Sequence, residues 1–428
     1  MPSRQTTHAT LLAALVALLH SSYINAATYD LMKEYSGGTF FDDWTFYNNF
    51  DNLTNGDAIF VSASEAASSQ LAFVDPNTNH AIIKVDNTTN VPFNIKRNTV
   101  RITTNDSFSV GSVWTADILH VPFGCSVWPA WSVRIHTHKR TKTHIFQVVA
   151  SPNMASRRVG KIFYRGSCLQ LTQIFSEIDT FEGVNLMTNN QMGLHTLPGC
   201  TQTGQVQSSP LINSSDCSFM DNMNQGCITT DPNPGSFGAG FAAAGGGVFV
   251  TEFATSGISI WFFSRNNVPS ALSSNASSID TSTFGPPVGN WPSTTCSSSE
   301  FFSPQQLIFD ITLCGDFAGA PSIFPQTCTG QCYQDYVVGS GANYATAFFE
   351  IASVRIFSAT GTNTIISPSP APGSGAATSA LSNGASTPSG SSTTGSGSNT
   401  GAASRIAPWS IASAVALAFM ACLTGLKY

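Results

Sequence analysis

Ile351-Ala352-Ser353-Val354-Arg355-Ile356-Phe357 is a short run of β-branched and aromatic residues, the composition of a strand. Similar runs recur along the chain: Ala81-Ile82-Ile83-Lys84-Val85, Thr99-Val100-Arg101-Ile102, Gly247-Val248-Phe249-Val250 and Ile258-Ser259-Ile260-Trp261-Phe262-Phe263. Clusters of Gly, Asn, Pro and Ser separate them, and residues 27–360 show no long helical period. Many short strands with turn punctuation specify an all-β sandwich or barrel. The lack of any repeat of about 20–50 residues argues against a propeller or solenoid.

The composition of the whole chain narrows the class. Of 428 residues, 42% are apolar, enough for one large core or two ordinary ones. Only 10% are charged, against roughly 25% in an ordinary domain. This excludes a charged disordered protein and a coiled coil. The net charge of −6 gives no reason to expect nucleic acid as a partner.

Both ends read as export signals. Arg4 followed by the apolar run Leu11–Leu19 and a small-residue site at Ala26 is a signal peptide over residues 1–26. Residues 366–403 are rich in Ser, Thr, Gly, Ala and Pro, the composition of an extended, O-glycosylated stalk. The apolar stretch Ile411–Leu426 then ends at Lys427-Tyr428, so 404–428 reads as a GPI-anchor signal, with a C-terminal membrane anchor as the alternative. Asn52, Asn87, Asn105, Asn213 and Asn275 each open an Asn-X-Ser/Thr glycosylation site. Of ten cysteines, Cys422 falls in the terminal tail, which leaves an odd number for an oxidising compartment.

The strongest chemical signal is Ser176-Glu177-Ile178-Asp179-Thr180-Phe181-Glu182-Gly183. On a strand, Glu177 and Asp179 share a face, whereas Glu182 falls on the other. One β-bulge between Asp179 and Glu182 returns it to the first face. Three carboxylates on one surface repel one another unless their pKa values are pushed apart. Retaining glycosidases need such a pair, one carboxylate ionised and one protonated. Spacing alone also fits a solvated acidic loop or a calcium site.

The flanking sequence resembles the family-16 glycoside hydrolases, especially fungal secreted endo-1,3(4)-β-glucanases. Their signature Glu-Ile-Asp-x-x-Glu-Gly-Val-Asn matches Glu177 to Asn185 throughout. Asn189-Asn190-Gln191-Met192, Leu194-His195-Thr196, Trp128-Pro129-Ala130-Trp131, Gly245-Gly246-Gly247-Val248 and Cys314-Gly315-Asp316 also match, so the resemblance covers nearly all of 27–360. It implies a concanavalin A-like β-jelly roll, a catalytic domain over 27–365, with an open substrate cleft on the concave sheet. It further implies that Glu177 is the nucleophile and Glu182 the acid/base. Asp179 then stabilises their charge state, while Phe181 and the aromatic cleft raise the pKa of Glu182. Trp128, Trp131, His195 and Trp261 become candidate sugar-binding residues. The odd spacing of Trp128 and Trp131 puts them on opposite faces of a regular strand, so one of the two belongs to the core.

One segment departs from the family. Residues 132–176 hold eight of the 18 basic residues, no Asp or Glu, and Cys168, without which eight cysteines remain before the tail. It reads either as a translated intron or as a basic insertion that binds acidic polymer or membrane. The expectation is a monomeric, GPI-anchored glycoprotein of the fungal cell wall that hydrolyses β-1,3- or mixed β-1,3/1,4-glucan by a retaining mechanism. That chemistry requires no metal and no organic cofactor. A transglycosylase using the same site, and a non-catalytic glucan-binding wall protein, are the rival readings.

Overall fold

The computed structural model describes residues 28–134, 176–203 and 206–368. The signal peptide, most of the stalk and the terminal apolar stretch lie outside the described residues, as do Cys168 and Cys422. Two antiparallel sheets make up the body of the domain. The larger has nine strands. Its main path runs Ser278–Asp280, Thr28–Ser36, Phe348–Ala359, Ser112–His120, Gly247–Ala254, Gly257–Ser264 and Gly289–Pro292. Ala81–Lys84 also pairs with Phe348–Ala359 and carries Ala72–Val74. The second sheet has seven strands in the order Cys227–Thr230, Gln191–His195, Glu177–Glu182, Val127–Arg134, Gln306–Leu313, Arg101–Thr104 and Trp44–Phe46. Both sheets combine strands that are neighbours in sequence with strands brought in by long crossovers, the connectivity of a jelly roll.

The main core fills the space between the sheets. Trp131, Ile178, Phe181, Leu194, Phe309 and Ile311 come from the seven-stranded sheet, and Trp114, Phe249, Phe253, Ile260 and Ile356 from the other. Strand alternation sends the neighbours of that second group outward. Val113, Val250, Trp261 and Phe357 join a separate cluster on the far face of the nine-stranded sheet, closed over by Leu272 and Phe284. The larger sheet is therefore buried on both faces, which accounts for the nearly continuous apolar reading of Ile258–Phe263.

Four disulfides join all eight described cysteines: Cys125–Cys328, Cys200–Cys296, Cys217–Cys227 and Cys314–Cys332. Cys125–Cys328 and Cys314–Cys332 anchor the long connection after the Gln306–Leu313 strand, Cys217–Cys227 closes the connection before Cys227–Thr230, and Cys200–Cys296 ties that connection to the segment after Gly289–Pro292. Of the five glycosylation sites, Asn52, Asn105, Asn213 and Asn275 are exposed and Asn87 is partly so.

The atypical segment begins later than its composition indicates. Ser132, Val133 and Arg134 continue the Val127–Arg134 strand, opposite Asp179, Ile178 and Glu177. Ser176 is buried and its hydroxyl meets the Gln305 amide at 3.2 Å. The segment's two ends are thus neighbours in one antiparallel pair, where a connection of any length leaves the ladder undisturbed.

Candidate active site

The Glu177–Glu182 strand carries the bulge that its spacing requires. Asp179 and Glu182 pair with Gly193 and Gln191, so two residues oppose one across that ladder. On the other side Trp131 faces Phe181 and Ser132 faces Asp179, which leaves Thr180 as the extra residue. Thr180 and Phe181 both turn toward the core. The Thr180 hydroxyl meets that of Thr251 in the opposite sheet, and the Phe181 ring stacks on Phe237 at 5.2 Å. Asn190, fully buried, closes the gap. Its Nδ2 donates to the Thr180 carbonyl at 2.9 Å, and its Oδ1 accepts from the Glu182 amide at 3.0 Å. Burying two successive side chains in the core turns Glu177, Asp179 and Glu182 to one face.

That face lines a cleft of about 690 Å³ that also contains Trp128, Ser132, Arg134, Gln191, His195, Arg101, Asp310 and Phe317. Trp128 Nε1 donates to Glu182 Oε1 at 2.9 Å, and its ring meets Phe317 edge to face. The Ser132 hydroxyl lies 3.5 Å from Glu177 Oε1, and Arg134 Nε lies 4.0 Å from Glu177 Oε2. His195 Nε2 is 3.3 Å from Asp179 Oδ2, and its Nδ1 is 3.1 Å from Asn224 Oδ1. Beyond Trp128 the floor continues with the buried Arg101–Asp310 ion pair.

The electrostatics separate the carboxyl groups. Burial, then the charge of Asp179, pushes Glu182 up to about 8, against the opposing pull of His195 and Trp128. Burial and the charge of Glu177 raise Asp179 to about 6, again opposed by His195. Burial works against a charge on His195, but the Asp179 hydrogen bond and the surrounding carboxylates override it and raise the imidazole to about 9. As an imidazolium, His195 donates from both nitrogens, which suits the acceptors placed at each. At neutral pH the cleft therefore holds a protonated Glu182 beside an ionised Asp179. That arrangement can deliver a proton to a leaving oxygen at one end of the strand while a carboxylate attacks from the other.

Several expectations need correction. Trp131 is 1% exposed and stacks on Phe309 in the main core, so it is not a sugar platform. Trp128, on the opposite face of the same strand, is the one in the cleft. Trp261 is also remote from the site. It lies under Phe284 on the far face of the larger sheet, and its Nε1 donates to the Gly285 carbonyl at 3.0 Å. Phe181 points into the core, so Glu182 is raised by burial and by Asp179 rather than by that ring. His195 lies on the cleft floor. The contributions of Arg134, Asn190 and the Arg101–Asp310 pair depend on contacts between residues distant in sequence; the only local trace of the last is a charge inside the apolar run Thr99–Ile102.

The XgeA-like catalytic GH16 domain family matches residues 44–151 and 174–357, passing over 152–173. A "Probable glycosidase" of Schizosaccharomyces pombe is 31% identical over 343 residues, 79% of this chain and 71% of that protein. A "Probable endo-1,3(4)-beta-glucanase" of Aspergillus fumigatus is 31% identical over 365 residues, 81% of this chain but 49% of its own length. The chain thus spans about half the length of that relative. Among solved structures, laminarinase 16A from Phanerochaete chrysosporium, bound to β-glucans, superposes with a TM-score of 0.65 at 30% identity, over 77% of this chain and 100% of that one. An elongating family-16 β-1,3-glucosyltransferase superposes with a TM-score of 0.61 at 29% identity over the same shares.

Proposed function

The chain belongs to the XgeA-like catalytic domains of glycoside hydrolase family 16, an endo-1,3(4)-β-glucanase family, and from that premise we propose that it is a secreted, retaining endo-β-glucanase acting on β-1,3- or mixed β-1,3/1,4-glucan. Glu177 attacks the anomeric carbon while Glu182 gives its proton to the departing glycosidic oxygen, so that one C–O bond forms as another breaks. The product is a glycosyl ester on Glu177. Glu182, now ionised, takes a proton from water as that water attacks the same carbon and frees Glu177. Asp179, paired with His195, keeps a negative charge between the two and holds the proton on Glu182. The observation that carries this reading is the bulge. It brings the three carboxyl groups into one cleft, where burial and the charge of Asp179 raise Glu182 to about 8.

Reducing-sugar release from laminarin and lichenan tests the activity, and proton NMR of the first product tests the stereochemistry. The expected result is release with retained β-configuration. An α-anomer appearing first would exclude the retaining route. Lengthened chains in place of reducing sugar would favour transglycosylation, a reading supported by the similarity to the elongating glucosyltransferase. Binding without turnover would leave a glucan-binding wall protein.

The signal peptide, glycosylation sites, stalk and apolar tail support a glycoprotein held at the cell surface or wall by a GPI anchor. Release of the protein from intact cells by phosphatidylinositol-specific phospholipase C tests that location. Transcript reads across codons 132–176 decide between a translated intron and a genuine basic insertion.

A further inference from the structure

The cleft is bounded at its Cys227–Thr230 edge by the loop Phe219–Gly226, whose ends are joined by the Cys217–Cys227 disulfide. The loop has an unusual backbone. Asn222, Met223 and Asn224 follow one another with φ of 50°, 56° and 62°, three successive residues in the left-handed region. Asparagine tolerates that region because its short amide can bond locally; methionine has no such compensation. Met223 nonetheless occupies the tip, and its side chain is fully exposed, so no packing in the free protein accounts for it. Strain of this kind persists where the surroundings enforce it, and it concentrates at ligand clamps. Here the disulfide enforces it from one side and the active site from the other. Asn224 Oδ1 accepts from His195 Nδ1 at 3.1 Å, and His195 in turn faces Asp179.

We propose that this loop is a sugar-binding wall of the cleft, in which Met223 covers the apolar face of a glucosyl ring held beyond the catalytic carboxylates. The inference rests on the glucan-acting reading above and assigns a further subsite to it. A glucosyl ring presents a C–H face and a rim of hydroxyls. The loop offers matching chemistry: the Met223 thioether, the Phe219 ring and the amides of Asn222 and Gln225 all line the same cleft. Asn224 is a positioning residue, fixing the loop to His195.

Because Met223 is exposed, Met223→Ser leaves the fold intact. Kinetics on laminari-oligosaccharides from triose to heptaose locate the contact. The expected result is KM raised about fivefold from the chain length that first reaches the loop, kcat within about twofold, and shorter substrates unaffected. Met223→Leu is expected to restore KM. Calorimetric binding of laminariheptaose in the Glu177→Gln background reads the loop without turnover. A matching loss of affinity in Met223→Ser supports it even if the wild-type protein hydrolyses nothing, in which case only the hydrolase reading falls. Equal affinity with and without Met223, or no binding by either form, overturns the proposal.

Discussion

Trp128 and Trp131 sit three residues apart on one strand and belong to different chemistries. Trp131 stacks on Phe309 among apolar neighbours, with no hydrogen-bond partner for its indole nitrogen among the described residues. Trp128 donates to Glu182 in a cleft that holds three acidic groups of one strand, two arginines and a histidine. The same contrast runs along Glu177–Glu182, where Ile178, Thr180 and Phe181 face inward and the carboxyl groups face out. One side of the sheet contributes stability through burial and close packing. The other side holds raised carboxyl pKa values that work against folding and are tolerated because they serve the reaction. The bulge is where the two sides meet, since it adds a residue to the core and thereby keeps Glu182 in the cleft.

Substitutions should separate the two faces. On the cleft side, Glu177→Gln is expected to lower glucan hydrolysis by at least about a thousandfold with an unchanged melting temperature; undiminished turnover would remove Glu177 from the mechanism. On the core side, Phe181→Ala is expected to cost about 3–5 kcal/mol in urea unfolding, since it empties a site contacted by Phe237, Phe249 and Phe349. Asn190→Ala touches both faces. It leaves the Thr180 carbonyl and the Glu182 amide unpaired, so a loss of about 1–3 kcal/mol should come with a lower kcat. A purely stability effect would show that Glu182 is positioned without it.

Smaller effects sharpen the electrostatic side. With Glu182 near 8 as the proton donor, activity should fall as pH rises through about 8. Trp128→Phe removes a donor that favours the ionised form, so its alkaline limb should move to higher pH; a limb that stays in place would separate Trp128 from the titration. The same shift affects stability. A carboxyl raised above its unfolded value contributes stability that is complete at low pH and lost as pH rises through the folded value. Glu182→Gln should therefore melt close to the wild-type temperature at pH 4 and a few degrees higher at pH 9. An equal or lower melting temperature at pH 9 would contradict the raised pKa.

Much of this is legible in the chain's own residue pattern. The β class followed from short runs of branched and aromatic residues. The trio 177, 179 and 182 demanded a bulge because a strand alternates with period two, and the structure contains it at Thr180. The same period placed Trp128 and Trp131 on opposite faces without telling which face was wet. Trp261 misled for a related reason, because a strand buried on both sides shows no alternation to read.

The sequence by itself determined what depends on neighbours along the chain: strand composition, side-chain alternation, the acidic cluster and the family resemblance. Only the tertiary structure decided what depends on residues distant in sequence. Which tryptophan faces the cleft depends on where the second sheet packs. Asn190 matters because the bulge leaves backbone groups within its reach, Arg134 because the register sets it opposite Glu177, and Asn224 because a disulfide folds its loop onto His195. Hydrogen bonds and charges act over a few ångströms, and only the folded chain brings residues 128, 134, 182, 190, 195 and 224 within that range.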